Sequence, residues 1–514
     1  MASQRRSRRR RGEKGYVLVM SAIIMIPLLA IGGMAPDLGS WYAEGSRIPR
    51  AADAAALAGV VWLPDFNTAQ TVAIATARAN GFDDAAADIT VEVVQLSDSE
   101  LQVNITDAQA DTYFSKFFIS NVNIRRESIG QYVLPVPLGS PKNFFGTGGM
   151  APSPNGPEGF WAAVNGWCAP KEQGDPFAPG FMGNWPSSGQ VCPGSTVNPQ
   201  FKAAPKWDYE YYVDLPATRT APVQVSLYSP AKTNTSPDSN DSKPADTTFS
   251  LRAPDGTPFN DDDNPPYNSP TGSGTCSGGV AEPNPRTYVQ NEVDNDTTIF
   301  GQSGWSRFCT IPASAPGGRY VLGVRTLAGQ ASSNTSNAYS IMASYNGNGI
   351  PCDNRTDASC PAVYGKDWIS ILAQASSPQA DFYLAKIGPE HSGKQMEITL
   401  FDPGEGGNSI SIRDPLGNPV SFDYHTQDGL YSGTGLTALD VSGCSGQPQI
   451  GPDRGSQCKF NERFVVISID LPANYGTVFA ANYWWKIHYD FSSNVTDRST
   501  WSVRILGDPV HLVN

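Results

Sequence analysis

The stretch "FSLRAPDGTPF", Phe249–Phe259, sets Phe249 and Leu251 in alternation with polar neighbours and then turns at Pro254-Asp255-Gly256. That is the pattern of a half-buried strand entering a turn. It recurs as "ISIRDPLGNPV" at Ile410–Val420. Working outward, "VSLYSPA" (Val225–Ala231) matches "ITLFDPG" (Ile398–Gly404), and "RYVLGV" (Arg319–Val324) matches "RFVVIS" (Arg463–Ser468). "AYSIMA" (Ala338–Ala343) matches "TWSVRI" (Thr500–Ile505), and "FWAAV" (Phe160–Val164) leads one set as "DWISI" (Asp367–Ile371) leads the other. Matches in one repeated order predict two tandem all-β domains, sandwiches or jelly rolls, over 157–346 and 364–514. Residues 137–156 and 347–363 read as linkers, and Lys232–Thr247 as a polar loop inserted in the first domain.

Composition agrees. Gly (50) and Pro (42) are abundant, yet aromatics make up 10%, which suits a loop-rich β protein rather than a disordered one. The net charge is −13, although the first 15 residues carry seven basic side chains against one acidic. The rest is therefore strongly acidic, which argues against a nucleic-acid partner.

All eight cysteines lie beyond residue 167: Cys168, Cys192, Cys276, Cys309, Cys352, Cys360, Cys444 and Cys458. Eight cysteines allow 105 connectivities. Their clustering favours sequence neighbours: Cys168–Cys192, Cys276–Cys309, Cys352–Cys360 and Cys444–Cys458. No C-x-x-C occurs, and the four histidines show no ligand spacing, so disulfides are expected rather than zinc.

Motifs for catalysis are missing. The chain has no G-x-S-x-G, H-E-x-x-H, phosphate loop or dinucleotide fingerprint. "FFGTGG" (Phe144–Gly149) is glycine-rich but lacks a following Lys-Ser/Thr. Asp261, Asp262 and Asp263 in "NDDDN" form the candidate Ca²⁺ loop, with "DPGEGG" (Asp402–Gly407) a second, though such runs are more often solvated. His391, in "GPEHSGK", reads as a turn residue and not as a catalytic base. Trp161, Trp368, Trp484 and Trp485 are expected in β cores. No cofactor is expected.

The N-terminus has a different character. A basic segment, 1–15, precedes "YVLVMSAIIMIPLLAIGGMAP", Tyr16–Pro36, 21 residues without a charge. As a helix this is about 30 Å long, one hydrocarbon thickness. The run is too long for a cleaved signal peptide's core and reads as a signal anchor, with the basic end in the cytoplasm and the rest outside. Next comes "AADAAALAG", Ala51–Gly59, with Ala51, Ala54, Ala55 and Ala58 on one helical face. Ala69, Ala73 and Ala77 mark a second helix between an Asn67 cap and the Asn80-Gly81 stop. Small stripes of this kind let two helices approach closely. "ITVEVVQL" (Ile89–Leu96) and "ELQVNIT" (Glu100–Thr106) read as a hairpin, "DAQADTYFSKFFIS" from Asp107 as a helix, and "NIRRESIGQYVLPV" as a strand. Residues 37–136 thus form a small α+β domain beside the membrane.

This region resembles the TadE/TadG-like family of Flp pilus-assembly proteins over roughly residues 10–136. The resemblance rests on the basic start, the apolar helix, Asp37-Leu38-Gly39, the run Ala51, Ala52, Asp53, Ala54, Ala55, Ala56, Leu57, Ala58, Gly59, and later "ARANGF" with Asn80 and Gly81. It implies a bitopic, outward-facing structural component and not an enzyme. Its partners would be the membrane, other Tad assembly proteins or pilins, and the cell wall or a surface polysaccharide. Two departures limit it. The fifth residue after Gly15 is Met20, where the family's processed members carry Glu, so permanent anchoring is expected. The metal-binding D-x-S-x-S of a von Willebrand-type domain has only "DSNDS" (Asp238–Ser242) as a counterpart, so that domain is not carried over. The other reading is an anchored surface module that binds carbohydrate or protein.

Overall fold

The protein is described by a computed structural model. It covers residues 16–514 apart from 64, 98–99, 110–121, 133–135, 148–149, 151–157, 168, 170–173, 182–195, 199, 201–206, 233–242, 256–260, 262–263, 268–275, 277–283, 327–334, 376, 405, 443–458, 481, 507–509 and 514. The described residues are mostly β-sheet, with helices concentrated at the N-terminus. They fall into two compact units.

The first unit holds helices α1 (Tyr16–Val60) and α2 (Phe66–Ala79) and strands β1 (Ile89–Ser97), β2 (Glu100–Asp107) and β3 (Ile124–Tyr132). Its sheet is antiparallel, in the order β1-β2-β3. A fourth strand comes from the other end of the chain: Val510–Val513 pairs with Ile129–Tyr132. The sequence assigned these last residues to the second β domain; the ladder to β3 places them here instead. α1 lies against β2 and β3, and α2 against α1 and β1. α1 contains Pro27, Pro36 and Pro49; the last two each come four residues after a glycine, Gly32 and Gly45, at the place where a proline ring meets the preceding turn, whereas Pro27 comes four residues after Ile23. The helix expected from Asp107 lies almost wholly outside the described residues.

The second unit holds the remaining strands. These are β4 (Phe144–Phe145), β5 (Glu158–Asn165), β6 (Gly180–Phe181), β7 (Thr196–Val197), β8 (Tyr209–Leu215), β9 (Val223–Tyr228), β10 (Lys243–Pro244), β11 (Thr247–Arg252), β12 (Arg286–Tyr288), β13 (Trp305–Ile311), β14 (Gly318–Thr326) and β15 (Thr335–Tyr345). They continue as β16 (Ala362–Lys366), β17 (Ile369–Ala375), β18 (Gln379–Lys386), β19 (Gln395–Phe401), β20 (Gly407–Arg413), β21 (Phe422–Thr426), β22 (Ser432–Leu436), β23 (Leu439–Asp440), β24 (Phe464–Asp470), β25 (Trp484–Phe491) and β26 (Val495–Ile505); the C-terminal strand, which belongs to the first unit, is β27 (Val510–Val513).

Their pairing reveals a duplication. One sheet runs β13-β9-β15-β5-β17-β26-β19-β24-β21-β22. The facing sheets are β12-β11-β14-β8-β16 and β18-β25-β20-β23. In chain order, β5, β8, β9, β11, β12, β13, β14 and β15 take the same places as β17, β18, β19, β20, β23, β24, β25 and β26. Each set is an eight-stranded, two-sheet jelly roll. Registers agree residue by residue: Leu251–Leu322–Tyr211 lie across one facing sheet as Ile412–Ile487–Phe382 do across the other. Ser229 and Asp402, each after the third strand and before a proline, both have positive φ, 49° and 55°.

Two sequence alignments need correcting. "RFVVIS" is β24, which occupies the place of β13, not of "RYVLGV" in β14. Val225 faces Ala343 while Ile398 faces Val503, so "AYSIMA" and "TWSVRI" correspond two residues away from the sequence alignment. A slip of two keeps the same face, so the hydrophobic pattern cannot detect it.

The expected gap between two β domains is also absent. β5 pairs with β17, from Ala162–Ile371 to Glu158–Ala375, so the jelly rolls share one sheet. Leu138 bridges Gly365 of β16 and Ala385 of β18 in the other layer. One core cluster runs from Val136 to Val503. The segment read as a linker, 137–156, contributes buried Leu138, Phe144 and Phe145 to these layers. The second linker contains the start of β16 and the Cys352–Cys360 bond.

Candidate functional site

The helical hairpin of the first unit shows how small residues position its parts. In α1 the buried side is Ile48, Ala51, Ala52, Ala55, Ala56 and Val60, with Gly59. Asp53, Ala54, Leu57 and Ala58 are half-buried. The stripe is therefore rotated from the expected Ala51, Ala54, Ala55, Ala58, because the helix serves two neighbours at once, α2 and the sheet. A Cβ on Gly59 would meet Leu101 Cδ2 at 2.6 Å, Ala69 O at 2.9 Å and Ala73 Cβ at 3.0 Å. A Cβ on Gly130 in β3 would meet the Ala56 carbonyl, with its oxygen at 2.8 Å. On α2, Ala69, Ala73 and Ala77 are fully buried.

The cap of α2 is Asp65, not Asn67. Its carboxylate accepts from the Thr68 amide (3.2 Å) and the Thr68 hydroxyl (2.6 Å), which hold its pKa below the usual carboxylate range. At the other end Gly81 N–H donates to Arg78 O and Phe82 N–H to Ala77 O, with Gly81 at φ 95°. This left-handed stop leaves Phe82 buried under the Arg47 guanidinium, 5.6 Å from its ring centre.

Among the described side chains, those from Tyr16 to Leu28 of α1 lack such packing. Tyr16, Leu18, Val19, Ile23, Ile24, Met25 and Leu28 are all exposed, Leu18 at 76%. The side chains of Val17, Ile26, Leu29, Ala30 and Ile31 lie outside the described residues. Among the described residues no helix is long and apolar enough to cross a membrane. Asp37 is buried, whereas a Cβ on Gly39 would meet open space.

The second unit carries a polar cluster on the outward face of its facing sheet. In the first jelly roll, Glu210 and Tyr212 of β8 stand beside Arg252 of β11 and Lys366 of β16. Arg252 pairs with Glu210, whose other oxygen lies 3.2 Å from Lys366 Nζ. Asp261, buried, accepts from the Tyr212 hydroxyl and lies 3.5 Å from Lys366 Nζ. Its backbone oxygen accepts from Arg252 Nη1 at 2.8 Å. Burial disfavours the Lys366 charge, yet the Glu210 and Asp261 carboxylates outweigh it and raise its pKa. Burial and Asp261 push the Tyr212 phenol far up.

The second jelly roll repeats part of this. Asp381, Tyr383 and Arg413 hold the places of Glu210, Tyr212 and Arg252, as the ladders Arg413–Lys486–Tyr383 and Arg252–Val321–Tyr212 show. Arg413 lies 3.4 Å from Asp381, and His488 Nδ1 lies 2.8 Å from it. Sequence reading missed this set. Its signal was present as Glu-x-Tyr at Glu210–Tyr212 and Asp-x-Tyr at Asp381–Tyr383, each upstream of a repeat strand ending in Arg.

Asp261 thus faces Lys366 and Tyr212, which leaves little of its carboxylate for a cation. Asp262 and Asp263 lie outside the described residues, among which no group of acidic, His or Cys side chains could hold a metal. Asp402, from the second candidate loop, is buried and accepts from the Glu462 amide at 3.3 Å. His391 is buried, which lowers its pKa, and lies 3.6 Å from Glu390. Cys276–Cys309 and Cys352–Cys360 are bonded, and no described cysteine is free. Cys168, Cys192, Cys444 and Cys458 lie outside the described residues. Trp484 and Trp485 are buried, whereas Trp161 and Trp368 are half-buried.

Residues 15–78 match the family described as putative Flp pilus-assembly TadE/G-like. The matched span coincides with α1 and α2. No curated protein and no solved structure matches the chain.

Proposed function

From the family match over α1 and α2, we propose that this protein is a membrane-anchored, extracytoplasmic structural component of a bacterial Tad/Flp-type pilus assembly or secretion system, and not an enzyme. The observation that carries the reading is the position of the match. It covers the hairpin packed on the sheet together with the exposed apolar side chains between Tyr16 and Leu28 of the same helix. Exposed leucine, isoleucine and methionine on a charge-free helical segment are costly in water. A bilayer removes that cost, and the uncharged run of Tyr16–Pro36 has the length of one crossing. The basic residues before it orient the N-terminus to the cytoplasm and the two units outward. Partners are then other Tad components or pilins, with the cell wall or a surface polysaccharide within reach.

The test is topological and genetic. Protease added to intact protoplasts should degrade residues 37–514 and spare a tag placed before Arg5. Deletion of the gene should remove surface pili or export through the same machinery. Survival of the full-length chain under protease would refute the topology, and normal piliation in the deletion strain would refute the role.

One observation favours a second reading, an anchored surface module that binds carbohydrate. Trp161 is half-buried, its ring 5.7 Å from Tyr228. Binding of surface polysaccharide by the protein, lost in Trp161→Ala, together with normal piliation in the deletion strain, would support it.

A further inference from the structure

The Lys366–Asp261–Glu210 cluster is more than the jelly roll needs. The second jelly roll keeps the acid, tyrosine and arginine positions with Asp381, Tyr383 and Arg413 and folds to the same register, with its half-buried Asp381 set among Arg413, His488 and Lys486. What the first adds is a buried ammonium and a buried carboxylate 3.5 Å apart, with a second carboxylate 3.2 Å from the same nitrogen. Taking such groups out of water is expensive unless something is gained from it.

We propose that Lys366 and Asp261 condense to an intramolecular amide, with Glu210 as the proton shuttle. The ammonium of Lys366 passes a proton to Glu210 Oε2, which faces it. Arg252 holds the other oxygen of Glu210 and fixes the carboxylate in that orientation. The freed Nζ attacks Cγ of Asp261, and a C–N bond forms. Tyr212, donating to Oδ2, stabilises the charge that develops on that oxygen. The C–Oδ1 bond breaks, and the oxygen leaves as water with two protons from the original ammonium, delivered through Glu210. An ammonium and a carboxylate become an amide and one water, so no oxidant, nucleotide or other reactant is required. Fixed proximity supplies the driving geometry, and burial keeps water from reversing the bond. The product ties β16 to the chain that follows β11. In a protein exposed outside the cell, that tie resists unfolding where reduction cannot reach it. The bond itself stands on this geometry, and only its advantage outside the cell rests on the topology proposed above.

The test is mass spectrometry on the full-length protein, extracted from membranes in detergent and digested with trypsin. The expected result, in most molecules, is one branched peptide joining the Lys366 and Asp261 segments, lighter than their sum by one water. Lys366→Arg keeps the charge and should give two unlinked peptides from a folded protein with a lower melting temperature. Glu210→Gln leaves both partners in place and should also be unlinked. Two separate peptides of unmodified mass from the folded natural protein would overturn the proposal, as would a link that persists in Glu210→Gln.

Discussion

Gly130→Ala and Gly39→Ala are the same chemical change, and the structure gives them opposite signs. At Gly130 the added methyl would sit 2.8 Å from Ala56 O, 2.9 Å from Ala56 C and 3.3 Å from Val60 Cγ1. Two of those neighbours are helix backbone, which cannot rotate away. α1 must lift from β3, and overpacking of this kind costs about 1–3 kcal/mol. At about 2 kcal/mol, a unit of this size should melt about 10 °C lower. At Gly39 the methyl would meet nothing within 4 Å, and replacing a helical glycine by alanine gains about 1 kcal/mol. Thermal unfolding of the detergent-solubilised protein, with amide exchange to localise the change to β2 and β3, measures both. A neutral or stabilising Gly130→Ala would refute the close packing of α1 on the sheet. A destabilising Gly39→Ala would refute the open helix surface there. Piliation adds a second axis. Loss of pili in Gly39→Ala, with the protein stable and abundant, would assign Asp37-Leu38-Gly39 to docking rather than packing.

Three further outcomes are expected. Burial favours the neutral form of Asp353, but hydrogen bonds from Arg355 and Lys142 outweigh it and hold its pKa at about 2. Because the folded pKa is depressed, its contribution is present above the unfolded value, about 3.9, and fades as pH falls toward 2. Asp353→Asn should therefore cost about 1 kcal/mol at pH 7 after solvent screening and nothing at the acid end, which chemical unfolding across pH checks. Replacing both cysteines of Cys276–Cys309, separated by 33 residues, should cost about 3.7 kcal/mol, against about 2.5 kcal/mol for Cys352–Cys360, separated by 8, if loop entropy governs; equal or reversed losses would count against that account. Truncation before residue 508 removes β27 and bares the edge of β3 over Ile129–Tyr132; the first unit should lose about 2–4 kcal/mol and self-associate through that edge, as sedimentation would show.

Local rules made much of this chain readable. The charge-free run, the Gly81 stop, the alanine positions of α2 and the β1–β2 hairpin each depend on neighbours within a few residues. The repeat was legible for the same reason, since each strand carries its alternation and its turn with it. Errors entered where local signals are degenerate. Asp65 and Asn67 are both good caps, and only the turn geometry chose between them. A two-residue slip in β15 against β26 preserves every inward side chain, and "RFVVIS" fits β14 as well as β13 by pattern alone. Ala51–Gly59 offers several small faces, and the presence of two neighbours, α2 and Gly130, selected the one that is buried.

By itself the sequence determined that two similar β units follow an apolar helix and a small α+β module, because periodicity and turn chemistry are written residue by residue. Tertiary structure alone decided that the two jelly rolls share a sheet through β5 and β17, that the last strand returns to complete the first unit, and that Asp261 meets Lys366 rather than solvent. Those outcomes depend on strand edges, and in the last case a charged side chain, finding partners more than a hundred residues away. An unpaired edge looks the same in the sequence whichever strand will cover it.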